Sequence, residues 1–317
     1  MTSGGDAPGM NACIRAVVRT GLYHGLNVFG IMRGYQGMIE GDIFQMQTQS
    51  VSNIIQRGGT ILKTARSKEF TTPEGRQKAY DQLKAHNIDG LVLIGGDGTF
   101  RGAVEFFKQF NIPAIGIPGT IDKDMAGTDY TIGFDTAVNT AVEAIDKIRD
   151  TADAHDRLFV VEVMGRDAGY IALHSGLACG AEAVLIPEIH TDIDSVINQV
   201  NFDNKRKKLT QILVVAEGDD FGGADEVAKT IKKNLPDADL RVTILGHIQR
   251  GGSPSCQDRI LASRLGYAAV EGLLHGKSQQ MVGIINDHIH FTPLEKAAKQ
   301  KQRLQKDMVE MIKVLAS

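Results

Sequence analysis

The chain has 317 residues, 42% of them hydrophobic and 23% charged, with a formal net charge of -3. That length favours two domains, and the composition is that of a globular protein with ample material for a buried core. The charge gives no reason to expect nucleic acid or an anionic membrane as partner, so an anionic ligand would have to meet local clusters of Arg and Lys. The opening Met1–Asp6 has neither the basic nor the apolar stretch of a signal peptide, and no apolar run reaches the roughly 18 residues that span a bilayer. Cys13, Cys179 and Cys256 are far apart and fit no metal spacing, which suits a reducing compartment; a cytoplasmic location is expected.

In chain order, Val28–Ile31, Leu91–Ile94, Ala114–Ile117, Leu158–Val163, Ala183–Ile186, Gln211–Ala216 and Arg241–Leu245 read as buried strands. Amphipathic stretches of crossover-helix length lie between most of them, such as Phe100–Phe110 and Thr136–Arg149, and the charged Leu294–Leu315 reads as one final packing helix. This rhythm predicts an α/β fold with largely parallel sheets. A change of domain is expected near Gly133 and a return crossing near Gly246.

The chemistry sits in the segments at the strand ends. Gly95-Gly96-Asp97-Gly98-Thr99 comes after the second strand, and its glycines at a strand-to-helix junction would offer backbone N–H groups and a helix dipole to a polyphosphate. Asp97 is a hard oxygen donor suited to Mg2+. The string also resembles phosphate loops of NAD kinases and diacylglycerol kinases, and alone it is also an ordinary tight turn. Thr2–Asn11 supplies a second Gly-rich turn entering a helix. After the third strand comes Pro118-Gly119-Thr120-Ile121-Asp122-Lys123-Asp124, in which one carboxylate can accept a hydroxyl proton while another helps to place a metal. Met164-Gly165-Arg166, Glu217-Gly218 and Gly246–Pro254 end the later strands, and His247 with Arg250 suits an anionic phosphate. Polar groups at the C-terminal ends of strands are where open α/β sheets bind ligands.

Taken together these strings closely resemble the bacterial ATP-dependent 6-phosphofructokinases over nearly the whole chain; Pro118–Asp122 and Gly246–Pro254 are the most specific. The resemblance implies two Rossmann-like three-layer domains with the active site in the interdomain cleft. Residues 1–133 with 246–299 would form the larger, ATP-binding domain, and residues 134–245 with 300–317 the smaller, fructose 6-phosphate-binding one. It implies Asp122 as general base toward the sugar 1-hydroxyl, with Thr120, Asp124 and Arg166 as its catalytic companions, and Asp97 as the Mg2+ ligand. Gly5, Arg66, Ser67, Gly96, Gly98 and Thr99 would line the ATP site, with Tyr35, Arg76, Arg101 and Gly102 as minor contacts. Met164, Gly165, Arg166, Glu217, His247 and Arg250 would hold fructose 6-phosphate, and Arg157 and Arg241 would reach it from a neighbouring subunit of a homotetramer. An effector site for ADP or phosphoenolpyruvate is implied at Arg15, Arg19, Arg149, Glu182, Arg206 and Lys208, the first two one helical turn apart.

The resemblance has departures. An effector-site arginine of the family is Thr48 here, which weakens the expectation of allosteric control. Lys123 stands where the family usually has Asn, and its ammonium would either depress the pKa of Asp122 or point to solvent. The short apolar strand that precedes the Gly5 turn in the family is not seen, so the sheet is expected to lack a position and the turn its anchor. A pyrophosphate-dependent relative is disfavoured because Gly98 and Gly119 replace its bulkier Asp and Lys, and two small residues would leave space open for a nucleotide. A catalytically dead sensing subunit would have lost Asp97 or Asp122, and a lipid or NAD kinase would not need His247–Pro254.

Overall fold

The computed structural model describes residues 1–153, 157–206, 210–302, 304 and 306–316. Its elements run α1 (Met10–Tyr23), β1 (Val28–Ile31), α2 (Gly34–Glu40), β2 (Ile43–Met46), α3 (Pro73–Ala85), β3 (Leu91–Gly95), α4 (Asp97–Gln109) and β4 (Ala114–Pro118). They continue with α5 (Phe134–Asp153), β5 (Leu158–Val163), α6 (Tyr170–Ala178), β6 (Ala183–Leu185), α7 (Ile193–Lys205), β7 (Gln211–Ala216), α8 (Gly223–Asn234) and β8 (Leu240–Ile244). The last are α9 (Cys256–Leu274), β9 (Gln280–Ile285), β10 (His288–Pro293), α10 (Leu294–Lys299) and α11 (Lys306–Ala316). The chain divides into two compact units: Met1–Ile121, Met125–Thr136 and Arg250–Gln302 form one, and Asp122–Asp124, Ala137–Gln249 and Arg303–Ser317 the other.

The first unit holds a sheet in the order β10-β9-β4-β3, parallel except where β10 returns antiparallel on β9, and a separate antiparallel pair of β1 and β2. All five residues of β4 are buried, as a continuous apolar run requires when helices cover both faces. Gly116 must be glycine, because a Cβ there would lie 2.7 Å from both Leu294 and Phe100. Phe100, Phe106, Leu83, Leu93 and Met38 fill the core, and Phe70 stacks on Tyr35 with ring centroids 3.9 Å apart. Along the free edge of β3 runs Met1–Ser3: Thr2 bridges Ile94 in parallel, and the Ser3 N–H donates to the Ile94 carbonyl at 3.0 Å. The expectation of an unanchored Gly5 turn is therefore corrected, since these three residues pair with the sheet.

The second unit has a wholly parallel sheet, β6-β7-β5-β8, around a core of Val160, Leu213, Val215, Val227 and Ile231. Here β7 is buried at every residue, whereas β8 is not the buried strand its sequence suggested: it lies on the edge and leaves Ile244 54% exposed. The expected single helix over Leu294–Leu315 is two. α10 stops because Gln300 turns extended, its carbonyl accepting from Ala126 N–H and Lys301 bridging Met125. Hydrogen bonding to another segment overrides helical periodicity at that point.

Candidate active site

In the first unit, three turns meet at the C-terminal end of the sheet. β3 passes through Gly96 into α4, whose first residue is Asp97. Gly95 is forced by close packing, since a Cβ there would fall 2.4 Å from Thr99 Oγ1 and 2.5 Å from the Ser3 carbonyl. The buried Thr99 hydroxyl donates to that Ser3 carbonyl at 3.0 Å, tying the turn to the chain's opening segment. Gly96 lies against Thr120, and Gly5 against the Arg250 guanidinium, which also reaches the Asp6 carbonyl at 3.4 Å. Thus Gly5, Gly96, Thr120 and Arg250, far apart in sequence, are brought together.

Asp97 is partly exposed. Its Oδ1 accepts from the Gly98 N–H and its Oδ2 pairs with Arg101 at 2.6 Å. A carboxylate of this kind fits Mg2+, which keeps most of its shell as water and phosphate oxygens and needs only one or two protein carboxylates. No cluster of three or more metal-ligating side chains occurs among the described residues. Several residues read as ligands also make contacts within the unit. Tyr35 is buried, its hydroxyl donating to the Thr99 carbonyl at 2.6 Å, and burial pushes its phenol up. Gly102 makes room for the Tyr35 ring, 3.0 Å from where a Cβ would be. Arg76 is held by Gln109 and the carbonyls of Phe70 and Thr71, Ser67 Oγ accepts from Phe70 N–H at 3.2 Å, and the preceding Arg66 is exposed.

The two glycines in the donor argument differ. A side chain at Gly98 would meet nothing nearer than Arg101 at 3.8 Å, so open space lies there. At Gly119 a Cβ would point into apolar packing, 3.1 Å from Ile94 and from Met10. The smallness of Gly119 serves the interior, and the expectation that it clears space for a nucleotide is corrected.

The second unit has a loop of its own built on polar side chains. Asp122 is 6% exposed, and Arg166 Nε lies 3.9 Å from its carboxylate. Arg166 has a left-handed φ of 52° and comes after Gly165 at 145°, a strained sequence that needs fixing. Glu217 fixes it, one oxygen accepting from Gly165 N–H at 3.2 Å and Arg166 N–H at 2.7 Å. Gln249 holds the start of the loop by accepting from Met164 N–H at 3.2 Å, while its own amide donates to the Gly246 carbonyl. Gln249 is fully buried, and its role is hidden in the Gly246–Pro254 string because a neutral amide between His247 and Arg250 carries no charge signal. His247 is exposed in the Gly246–Arg250 turn, and Asp124 is half-buried. Lys123 is buried, not solvent-facing, with left-handed φ of 54°, its Nζ 3.4 Å from His174 Nε2 and 5.7 Å from the centre of the Tyr170 ring.

The residues read as an effector site fall in both units. Arg15 and Arg19 lie on α1, and Thr48 starts a short turn after β2. In the second unit Arg149 donates to the Cys179 carbonyl, buried Glu182 accepts from Ile212 N–H, and the Arg206 guanidinium lies 5.2 Å from the Phe202 ring. Lys208 lies outside the described residues. Arg157 immediately precedes β5, and Arg241 is the second residue of β8.

A family model described as phosphofructokinase matches residues 1–273. The chain belongs to the phosphofructokinase family. An ATP-dependent 6-phosphofructokinase of Cytophaga hutchinsonii is 55% identical over 314 residues, covering 99% of this chain and 96% of its own. ATP-dependent 6-phosphofructokinase 1 of Thermus thermophilus is 56% identical over 315 residues, covering 99% and 98%. Among solved structures, phosphofructokinase from Saccharomyces cerevisiae superposes with a TM-score of 0.89 at 37% identity; the whole of this chain spans 46% of the yeast chain. A pyrophosphate-dependent phosphofructokinase from Marinobacter aquaeolei reaches a TM-score of 0.85 at 24% identity, which speaks to the fold alone. Membership of the family accounts for the Gly-rich turn and the strand-end carboxylate occurring in one chain. Among the described residues no helix is long and apolar enough to cross a membrane.

Proposed function

We propose that this chain transfers the γ-phosphoryl group of ATP to the 1-hydroxyl of fructose 6-phosphate, giving fructose 1,6-bisphosphate, as a glycolytic Mg2+-dependent kinase. The observation that carries the reading is the buried Asp122 with Arg166 at 3.9 Å, on a chain whose 55–56% identical relatives are named for this activity. Asp122 accepts the hydroxyl proton as the oxygen attacks, and the Arg166 guanidinium offsets charge on the transferring group. The Gly95–Thr99 turn and Gly5 receive the nucleotide phosphates through backbone N–H groups at the start of α4. Asp97 would hold Mg2+, which supplies charge neutralisation on the phosphates when bound. Thr120 and Asp124 orient the acceptor beside Asp122, and Glu217 keeps the Gly165–Arg166 backbone presented to the sugar. Most of the catalytic effect is positioning and electrostatics, as phosphoryl transfer requires.

The reading extends to a homotetramer with shared sites. Arg157 precedes β5 and the Met164–Arg166 loop comes after it, so the six residues of β5 separate them by about 20 Å. Within one chain Arg157 does not serve that loop's ligand. If Arg157 and Arg241 bind the sugar phosphate, they bind it on a second copy. Arg15, Arg19, Arg149, Glu182, Arg206 and Lys208 form an effector site for ADP or phosphoenolpyruvate, weakened by Thr48.

The test is a coupled assay for fructose 1,6-bisphosphate with Mg2+ and either ATP or pyrophosphate, beside an Asp122→Ser variant. ATP-dependent product that falls about 10³-fold in the variant is expected. Product from pyrophosphate overturns the donor, and full activity in the variant overturns the base.

A further inference from the structure

One carboxylate joins Arg157 to Arg241. Asp239 immediately precedes β8, and its backbone is fixed to the neighbouring strand by the Leu158 N–H, which donates to the Asp239 carbonyl at 3.1 Å. Its Oδ2 accepts from Arg157 Nε at 2.7 Å, and its Oδ1 pairs with Arg241 Nη1 at 3.0 Å. Arg241 Nη1 also donates to the Leu240 carbonyl at 3.2 Å. The parallel register of β5 and β8, with Leu158 opposite Leu240 and Phe159 opposite Arg241, brings both guanidiniums to the same carboxylate. Arg157, Arg241 and Lys232 all hold that carboxyl below its ordinary range, the Arg157 hydrogen bond most strongly.

The way each arginine is held matters. Asp239 engages Arg157 through Nε, which leaves its two terminal nitrogens out of that bond, and engages Arg241 through one terminal nitrogen. A planar guanidinium gripped on one edge still offers another edge to a phosphate. Two arginines and one aspartate leave the trio with a net positive charge. Arg157 is the less exposed of the two arginines, and such long side chains otherwise lose considerable rotamer freedom on binding.

We propose that Asp239 is a positioning residue: it gathers Arg157 and Arg241 into one preorganised pair that receives the phosphate of a sugar phosphate held by a second copy of this chain. This role rests on the proposed function of those two arginines. Asp239 makes no contact with the substrate and acts through the arginines. Its carboxylate repels a phosphate, so its removal has two opposite effects: bulk charge becomes more favourable and the arginines become disordered. Salt screening at an exposed site weakens the first, and the ordering cost falls on two long side chains, so the second prevails.

Steady-state kinetics on the purified oligomer distinguishes the possibilities with Asp239→Ala, Asp239→Glu, Arg157→Ala, Arg241→Ala and the Asp239→Ala/Arg157→Ala double variant. Asp239→Ala is expected to raise KM for fructose 6-phosphate about tenfold, leaving kcat and KM for ATP within about twofold. Asp239→Glu recovers most of the loss, and the double variant is impaired by less than the product of the single effects. An unchanged or lowered KM in Asp239→Ala, while both arginine variants raise it, overturns the role of Asp239 and leaves the arginines' role intact. An unchanged KM in both arginine variants overturns their role, and that of Asp239 with it.

Discussion

The turn after β3 and the loop after β5 both leave the C-terminal end of a parallel strand, yet they are built on different principles. The Gly95–Thr99 turn is made of glycines, with support from the backbone beside it and from buried hydroxyls: Thr99 on the Ser3 carbonyl and Tyr35 on the Thr99 carbonyl. The Met164–Arg166 loop is held by side chains from distant strand ends, Glu217 and Gln249, whose acceptor oxygens take up its backbone N–H groups. The first packs Gly95 against the Ser3 backbone but leaves Gly98 with nothing nearer than Arg101. The second uses glycine to let two stretches of backbone touch. A residue's type at a strand end therefore does not say whether it meets the ligand or the loop.

The largest effect should come from breaking the second arrangement. A Cβ at Gly218 would lie 1.8 Å from the Arg166 carbonyl oxygen and 2.8 Å from its carbon. Backbone cannot rotate away as a side chain can, so Gly218→Ala must displace the left-handed Arg166 peptide. We expect a loss of about 3 kcal/mol in stability, with a much weakened response to fructose 6-phosphate, measurable by thermal melt and KM. A melt and KM both unchanged would mean that the loop is not held rigidly by this approach.

The sequence disclosed the first arrangement far better than the second. Parallel strands covered on both faces must read as unbroken apolar runs, so β4, β5 and β7 are plain, and glycines before a helix mark a tight turn by their number. By contrast β8 reads as apolar but lies on an edge, and β9 and β10 were not singled out. Whether Lys123 faced solvent depended on a left-handed φ that no propensity specifies at lysine. Gln249 gave no signal at all. Asp258 did give one: Ser255-x-x-Asp258 at the start of α9 is a capping pattern, and the Ser255 hydroxyl does accept from the Asp258 N–H. What that pattern conceals is the second task of the carboxylate.

Asp258 repeats in the first unit the device that Glu217 uses in the second. Fully buried, it accepts from Gly133 N–H, Thr136 N–H and the Thr136 hydroxyl at the start of α5. Burial dominates these bonds and pushes its carboxyl from the ordinary 3.8 up to about 6. The folded protein therefore binds this proton more readily than the unfolded chain does. Its ionised form disfavours folding above pH 6, and that penalty is relieved as pH falls through 6 toward 3.8. Asp258→Ala should cost about 2 kcal/mol by leaving buried donors without their acceptor. The gap in melting temperature between parent and variant should widen as the pH is lowered from about 7 to about 5. A gap that narrows instead would show that the three hydrogen bonds outweigh burial and favour the carboxylate.

The smallest structural effect with the clearest functional one belongs to Gly98. Its position in the first turn of α4 and the 3.8 Å clearance to Arg101 mean that a methyl group is accommodated without displacing backbone. Alanine is also the better helix former, by at most about 1 kcal/mol in a helix interior and less in a first turn. Gly98→Ala should thus leave the melt within about 0.5 kcal/mol of the parent, in contrast to Gly218→Ala. If the turn receives the nucleotide, the added methyl stands where phosphate oxygens approach the backbone, and KM for ATP should rise about tenfold while KM for fructose 6-phosphate stays put. The two glycine variants then separate cleanly: one loses the fold's support and the sugar phosphate, the other keeps the fold and loses ATP. An unchanged KM for ATP in Gly98→Ala would place the nucleotide away from this glycine. The choice of donor would then have to come from other residues, because Gly119 already faces the apolar interior.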